Sequence, residues 1–148
     1  VGGYQESKFF EPGDQPVVAK TPFGNIGMMV CYDLRFPELA LTLRAQGARI
    51  LTAPAAFTYT TGQMHWQLLL QARAMDTQCD VLGAAQQGWH GEKRQTWGHT
   101  GATNSRGQLL QMIQDEGAGL ITIEFNAKEQ DQIRASMPLM QHRRLISF

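Results

Sequence analysis

A strand, a helix and a second strand follow one another within residues 26–54, and this alternation constrains the fold more than any other feature. The apolar run "IGMMVC" has the length of a buried strand, and polar residues follow it at once. Pro37 suits the first turn of a helix, and Gly47 is a typical residue just beyond a helix end. The run "RILTAP" then predicts a second buried strand. This order is typical of two neighbouring parallel strands joined by a helix, and therefore of an α/β fold.

The remaining elements are predicted from hydrophobic spacing and from the positions of glycine, proline and capping residues. Apolar residues at helical spacing indicate a second helix, and an alternating apolar and polar run near the carboxyl end indicates a half-buried strand. Asn126 followed by Glu129 is typical of a helix start. We therefore expect at most a short edge strand in 17–22, a polar loop over 58–63, a helix over 63–78, a strand over 80–88, a loop and hairpin over 88–112, a strand over 119–125, a short helix after Asn126 and an extended arm over 137–148.

Length and composition favour one soluble domain that binds small molecules. The 148 residues suffice for a single core, and 13 basic residues balance 13 acidic ones, so we expect no nucleic-acid surface. No apolar run reaches the ~20 residues that cross a bilayer, and the amino terminus does not resemble a signal peptide, so we expect no membrane association.

Two cysteines indicate thiols in a reducing compartment, which predicts a cytoplasmic location. The four histidines lack zinc-site spacing, so we expect no metal and no cofactor.

Cys31 is the first candidate for chemistry, because it ends a predicted strand just before a helix. In α/β folds that edge of the sheet usually holds ligands, and helix amides there can activate a thiol. A free cysteine at such a position can equally be an inert core residue, and the position by itself leaves both interpretations open. Arg35, four residues on, could receive a substrate carboxylate or form an ion pair with Asp33 or Glu38.

Four separate segments, in the same order, resemble the nitrilase or carbon–nitrogen hydrolase superfamily. The segment around Cys31 is similar to the nucleophile region of that superfamily, and the resemblance extends over nearly all of the chain. In its later loops the sequence resembles the deaminated glutathione amidase branch more than the ω-amidase branch. The four segments are "GNIGMMVCYDLRFPELALTLRAQGARILTAPAAF", "TGQMHWQLLLQARAMDTQ", "AAQQGWHGEKRQTWGHT" and "HRR".

The resemblance implies a fold, a reaction and a set of site residues. The fold would be part of the superfamily's four-layer α-β-β-α sandwich, with residues 1–148 as one partial domain lacking the amino-terminal portion. The reaction would be hydrolysis of a small-molecule amide through a thioester on Cys31, assisted by Glu6. The Tyr32 N–H would stabilise the oxyanion, and Arg35 and Phe57 would contact the substrate.

The resemblance also limits what these 148 residues are expected to do. The superfamily's base glutamate and its lysine belong to segments that precede the matched region, so we expect this chain to be inactive or impaired. An alternative is a noncatalytic remnant or interaction module of a disrupted gene. Half a sandwich would leave an unpaired sheet edge and bare apolar surface, so we expect self-association, and the intact family implies homo-oligomers.

Overall fold

A computed structural model of the chain describes residues 6–114 and 117–144, and it has the predicted α/β architecture. A six-stranded sheet has the order β1-β2-β3-β4-β7-β8, and β5 and β6 form a separate two-stranded sheet. β2, β3 and β4 are parallel neighbours, whereas the other pairs are antiparallel. The strands are β1 (Val17–Ala19), β2 (Ile26–Met28), β3 (Ile50–Thr52), β4 (Asp80–Gly83), β5 (Gln87–His90), β6 (Arg94–Trp97), β7 (Gly101–Thr103) and β8 (Leu109–Met112).

Two helices cover one face of the six-stranded sheet and form the core with it. Leu43 of the first helix and Leu70 of the second are fully buried, as is Leu51 of β3 between them. Gly27 of β2 lets these layers approach closely, because a Cβ there would lie 2.7 Å from Cδ2 of Leu51. The helices are α1 (Pro37–Ala45), α2 (Tyr59–Thr77), α3 (Ala127–Ser136) and α4 (Leu139–His142), with 3-10 helices at Glu6–Lys8 and Cys31–Arg35.

The opposite face of the sheet carries exposed apolar side chains near the first two strands. Side chains alternate along a strand, so Met28 points away from the helices that Gly27 faces. Met28 is 52% exposed, and Val30 and Val17 are exposed to a similar degree. In the part of the chain that the structure describes, no helix is long and apolar enough to cross a membrane.

Several predicted boundaries are wrong, each for an identifiable physical reason. The strand expected to end at Cys31 ends at Met28, because Cys31 adopts a left-handed backbone. The second helix begins at Tyr59 rather than at residue 63, since Gly62 packs directly on Trp97 and stabilises an earlier start. The strand expected over 80–88 divides into β4 and β5, with Ala84–Gln86 between them.

The predictions for the carboxyl-terminal part are partly correct. Residues 121–125 alternate between half-buried and exposed as expected, but 119–125 are not a strand, because alternation reports burial of one side and not the presence of a pairing partner. The helix after Asn126 is confirmed, with the Asn126 Oδ1 accepting a hydrogen bond from the Glu129 N–H at 3.1 Å. The predicted extended arm is wrong over Leu139–His142, which form a helical turn, and its residues 145–148 lie outside the described residues.

Candidate active site

The backbone around Cys31 has an unusual conformation for a residue with a side chain. Its φ angle is +49°, in the left-handed region that costs residues other than glycine about 1–2 kcal/mol. The Cys31 N–H donates to the Pro54 carbonyl at 2.9 Å, which ties the residue to the end of β3. The Asp33 carboxylate accepts a hydrogen bond from the Val30 N–H at 2.9 Å. The bond from Cys31 to Pro54 and the bond from Val30 to Asp33 together hold the strained turn in place.

Three parallel strands end at the same edge of the sheet, and their extensions form a pocket with Cys31 at its rim. Val30 and Cys31 follow β2, Pro54 to Ala56 follow β3, and Ala84 to Gln86 follow β4. The pocket is open and has a volume of about 680 Å³. Its lining residues are Glu6, Val30, Cys31, Pro54, Ala55, Ala56, Ala84, Ala85, Gln86, Arg94 and Thr100.

The wall of this pocket is mostly small and apolar, with a few polar groups that could orient a ligand. Thr100 is fixed by its neighbours, since its Oγ1 accepts from the Ala85 N–H at 2.9 Å. Among the described lining residues, Glu6 is the one carboxylate and Arg94 the one cation. A small amide-bearing molecule fits such a surface, because its apolar part and its polar ends both find partners.

The structure brings Cys31 and Glu6 together in one pocket. Both line it, and Glu6 lies exposed on the first 3-10 helix. Tyr32 follows Cys31 on its 3-10 turn, and its amide N–H has no hydrogen-bond acceptor within residues 6–114 and 117–144. That amide is therefore available to a ligand atom near the thiol, as the sequence predicts for an oxyanion donor.

Arg35 and Phe57, predicted to contact substrate, lie beside the turn rather than in the lining of the pocket. The Arg35 guanidinium lies over the rings of Tyr32 and Phe57, at 5.3 and 5.2 Å from their centroids. Phe57 is buried and packs edge-on against Trp66. The expected ion pairs of Arg35 with Asp33 or Glu38 are absent from the described part of the chain.

Sequence reasoning missed three polar residues of the pocket. Gln86, Arg94 and Thr100 all line it, and all three belong to or border the segment "AAQQGWHGEKRQTWGHT". That segment was recognised for its resemblance, but its glycines predicted only a loop and hairpin. A hairpin that folds over a sheet edge brings its side chains to the site, and spacing along the sequence does not reveal this contact.

The second thiol and the perturbed ionisable groups lie away from the pocket. Cys79 is fully buried, and burial raises the pKa of its thiol above the ordinary 9.0, so that it stays protonated. Burial likewise lowers the pKa of Arg134 to about 10 and raises the pKa of Asp80 above 3.8. Within the described ranges, no group of three or more metal-ligating side chains is present.

Comparisons with known proteins agree with this geometry. The carbon-nitrogen hydrolase family matches residues 1–135. Deaminated glutathione amidase of Yersinia enterocolitica is 48% identical over 146 residues, which make up 99% of this chain and 51% of that protein. The chain thus spans about half the length of the curated relatives it matches.

Solved structures of the same superfamily superpose on the chain. The C. elegans NitFhit protein superposes with a TM-score of 0.86 at 38% identity, over 95% of this chain and 34% of that one. An amidase variant from Nesterenkonia sp. AN1, with one glutamate replaced by leucine, superposes with a TM-score of 0.67 at 29% identity, over 75% of this chain and 42% of that one. That variant shows covalent addition of the acetamide moiety of fluoroacetamide at its active-site cysteine.

Proposed function

This chain belongs to the carbon-nitrogen hydrolase family, and from that premise we propose that it contributes the nucleophile of an amidase, with Cys31 attacking the amide carbonyl of a small molecule. The observation that carries the proposal is that Cys31 and Glu6 line the same open pocket. This pocket lies at the carboxyl ends of three parallel strands. Small-molecule sites of open α/β sheets lie at this edge.

The proposed reaction has three steps, and it begins with the Cys31 sulfur and the Tyr32 N–H of the strained turn. The Cys31 sulfur adds to the amide carbonyl as its proton passes to a carboxylate, and the Tyr32 N–H stabilises the oxygen that becomes negative. The carbon–nitrogen bond then breaks as the departing nitrogen takes that proton back from the carboxylate and leaves as an amine, or as ammonia from a primary amide. A thioester remains on Cys31. Water hydrolyses it to a carboxylic acid and regenerates the thiol.

We further propose that deaminated glutathione or a related ω-amide is the substrate. Relatives at 43–48% identity are deaminated glutathione amidases, and they match this chain over nearly its full length. Arg94 supports the proposal, because a cation in the lining suits a substrate that carries a carboxylate. Direct contact of Arg35 or Phe57 with substrate stays a prediction, since both residues lie behind the pocket.

Labelling with fluoroacetamide tests the nucleophile directly. We expect the Cys31 sulfur to displace fluoride and acquire one acetamide group, with Cys79 unmodified because it is buried. Mass spectrometry of proteolytic peptides distinguishes the two positions. Prior addition of a carboxylate-bearing amide should slow the labelling. A reaction with Cys31 no faster than with a free thiol in solution would overturn the proposal.

The Glu6→Gln variant tests the assisting carboxylate. It keeps the size of the side chain and one acceptor oxygen, and it removes the charge. We expect labelling of Cys31 to slow by about a hundredfold, the lower end of the contribution of a positioned proton-transfer group. Glu11→Gln is the matched control, because Glu11 is exposed and does not line the pocket. Equal rates in both variants would remove Glu6 from the mechanism.

Steady turnover by these 148 residues should be much slower than labelling. The resemblance assigns the superfamily's base glutamate and lysine to segments outside them, and losing both removes several kcal/mol of transition-state stabilisation. Release of a free amino group from deaminated glutathione, or of ammonia from an ω-amide, can be measured with the purified chain. Turnover at the rate of an ordinary enzyme would contradict this expectation and leave the nucleophile assignment intact.

A further inference from the structure

A histidine on α2 contacts the residue that ends the Cys31 turn. The Arg35 Nη1 lies 3.2 Å from the Nδ1 of His65, across thirty positions of the sequence. Both side chains are half-buried. Arginine can only donate hydrogen bonds, so the Nδ1 of His65 must be the acceptor. In this hydrogen bond the ring N–H of His65 is the one on Nε2.

The same arginine is held on two further sides by aromatic rings. Its guanidinium lies 5.3 Å from the centroid of Tyr32 and 5.2 Å from that of Phe57. Contacts of this kind contribute about 0.5–1 kcal/mol each when exposed, and more when water is excluded. Two rings and one imidazole nitrogen thus fix the position of the Arg35 head group.

Arg35 transmits this restraint to the nucleophile, because Cys31 begins and Arg35 ends the same short 3-10 turn. The middle of the turn is already fixed, since Leu34 is fully buried and its carbonyl accepts from the Arg73 Nε at 3.0 Å. His65 and Arg73 lie two turns apart on α2. Helix α2 therefore contacts the turn at Leu34 and at Arg35. The left-handed Cys31 lies at the amino-terminal end of the same turn.

We propose that His65 is a positioning residue for the nucleophile, which acts through Arg35 to keep the Cys31 turn in its strained conformation. The proposal rests on the proposed role of Cys31 as the reactive thiol. Strained backbone persists only where surrounding contacts overdetermine it. Loss of the acceptor at His65 frees Arg35, and the turn relaxes away from the geometry that presents the sulfur to the pocket.

Labelling of Cys31 by fluoroacetamide measures the effect in three substitutions at one position. His65→Leu removes the acceptor, His65→Lys replaces it with a cation that can only donate, and His65→Gln retains an acceptor oxygen. We expect the first two to slow labelling by about threefold to tenfold, the range of one typical net hydrogen bond. His65→Gln should restore the rate to within about twofold of wild type. Gln63→Leu, on an exposed position of the same helix, is the control.

A double-mutant cycle separates positioning from general support of the fold. Arg35→Met keeps the apolar stem and removes the donor. If His65 acts through Arg35, His65→Leu causes no further slowing in the Arg35→Met background. A further slowing equal to that in wild type would overturn the proposal. Equal labelling of wild type and His65→Leu would also overturn it, while leaving the proposed function standing.

Hydrogen exchange of the turn tests the same inference without any labelling chemistry. The Cys31 amide, bonded to the Pro54 carbonyl, should exchange faster in His65→Leu and His65→Lys than in wild type and His65→Gln. Peptides covering α3 serve as the internal reference, because its Gln130 and Arg134 side chains donate to the carbonyls of Arg49, Ala48 and Gln78 rather than to the turn. Unchanged protection of Cys31 in all variants would contradict the proposal even if wild type failed to label.

Discussion

At the scale of single residues, the sequence predicts the position of Cys31 at a strand end but not its backbone conformation. The sequence predicts a strand that ends at a cysteine, and the motif around it resembles a nucleophile region. The positive φ of Cys31 is not predictable, because a cysteine in a polar turn carries no signal for a left-handed backbone. The strain becomes understandable only with the bond to Pro54, a residue that is remote in sequence.

A pair of substitutions at Cys31 should reveal this strain. Glycine adopts a positive φ without a steric penalty, whereas alanine retains the Cβ that causes it. We expect Cys31→Gly to be more stable than Cys31→Ala by about 1 kcal/mol, the left-handed cost less the added entropy of the unfolded glycine chain. Urea unfolding of the two variants gives the difference. A more stable alanine variant would show that the turn is not strained.

A second residue-scale prediction concerns the pH dependence of folding at Asp80. Burial raises the pKa of this carboxyl above 3.8, although its Oδ1 accepts from the Ser105 N–H at 2.9 Å. The folded state therefore binds the proton more tightly than the unfolded chain. The contribution of Asp80 to stability is fully present below pH 3.8 and is lost as the pH rises through the folded-state pKa.

The Asp80→Asn variant removes this titration and keeps a side-chain oxygen for Ser105. We expect the free energy of unfolding of wild type, minus that of Asp80→Asn, to fall as the pH rises from about 4 toward neutrality. Urea unfolding at several pH values measures it. A difference that rises with pH would mean that the carboxylate is stabilised by its surroundings rather than destabilised by burial.

At the scale of elements, α2 shows what local sequence cannot tell. The segment "TYTTGQ" has turn-forming composition and predicts a loop, yet Tyr59 already begins the helix. The helix starts there because Gly62 lies against Trp97 of β6 and the Tyr59 ring packs edge-on against the same tryptophan. Tertiary contacts of this kind override weak local preferences.

Gly62→Ala tests that contact. Alanine is the better helix former by about 1 kcal/mol, but its Cβ would overlap the Cβ and Cγ of Trp97. Those atoms lie next to the backbone and cannot move cheaply, so we expect a net destabilisation of about 1–3 kcal/mol. Thermal unfolding followed by near-ultraviolet circular dichroism measures it. Gly13→Ala, where an added Cβ meets nothing within 4 Å, should change stability by less than about 0.5 kcal/mol.

At the scale of the whole molecule, hydrophobic spacing predicted the parallel centre of the sheet and not its edges. The order of strand, helix and strand predicted that β2 and β3 are parallel neighbours, which the structure confirms, and β4 extends the parallel part of the sheet beside β3. The pocket follows from this topology, because parallel strands end together. Pairing of β7 with β4, and the lack of pairing in residues 119–125, depend on contacts between distant segments that no local pattern encodes.

The uncovered face of the sheet predicts self-association of the purified chain. Val17 and Met28 on the neighbouring strands β1 and β2, and Val30 just beyond β2, are each more than half exposed. Apolar surface gathered in one patch favours contact between molecules. We expect the elution volume in gel filtration to shift toward larger species as the concentration rises, and Met28→Lys to reduce that shift. Lys20→Met is a control for the change in charge. A monomer at all concentrations would contradict this prediction.

Most of the pocket wall comes from the segments that follow the strands, and apart from Ala55 these lining residues lie outside the buried core. Substitutions at positions such as Ala56 and Gln86 therefore change the free energy of unfolding little. Under the proposed function, substitutions at these positions would change which amides bind, while the scaffold that presents the Cys31 sulfur stays the same.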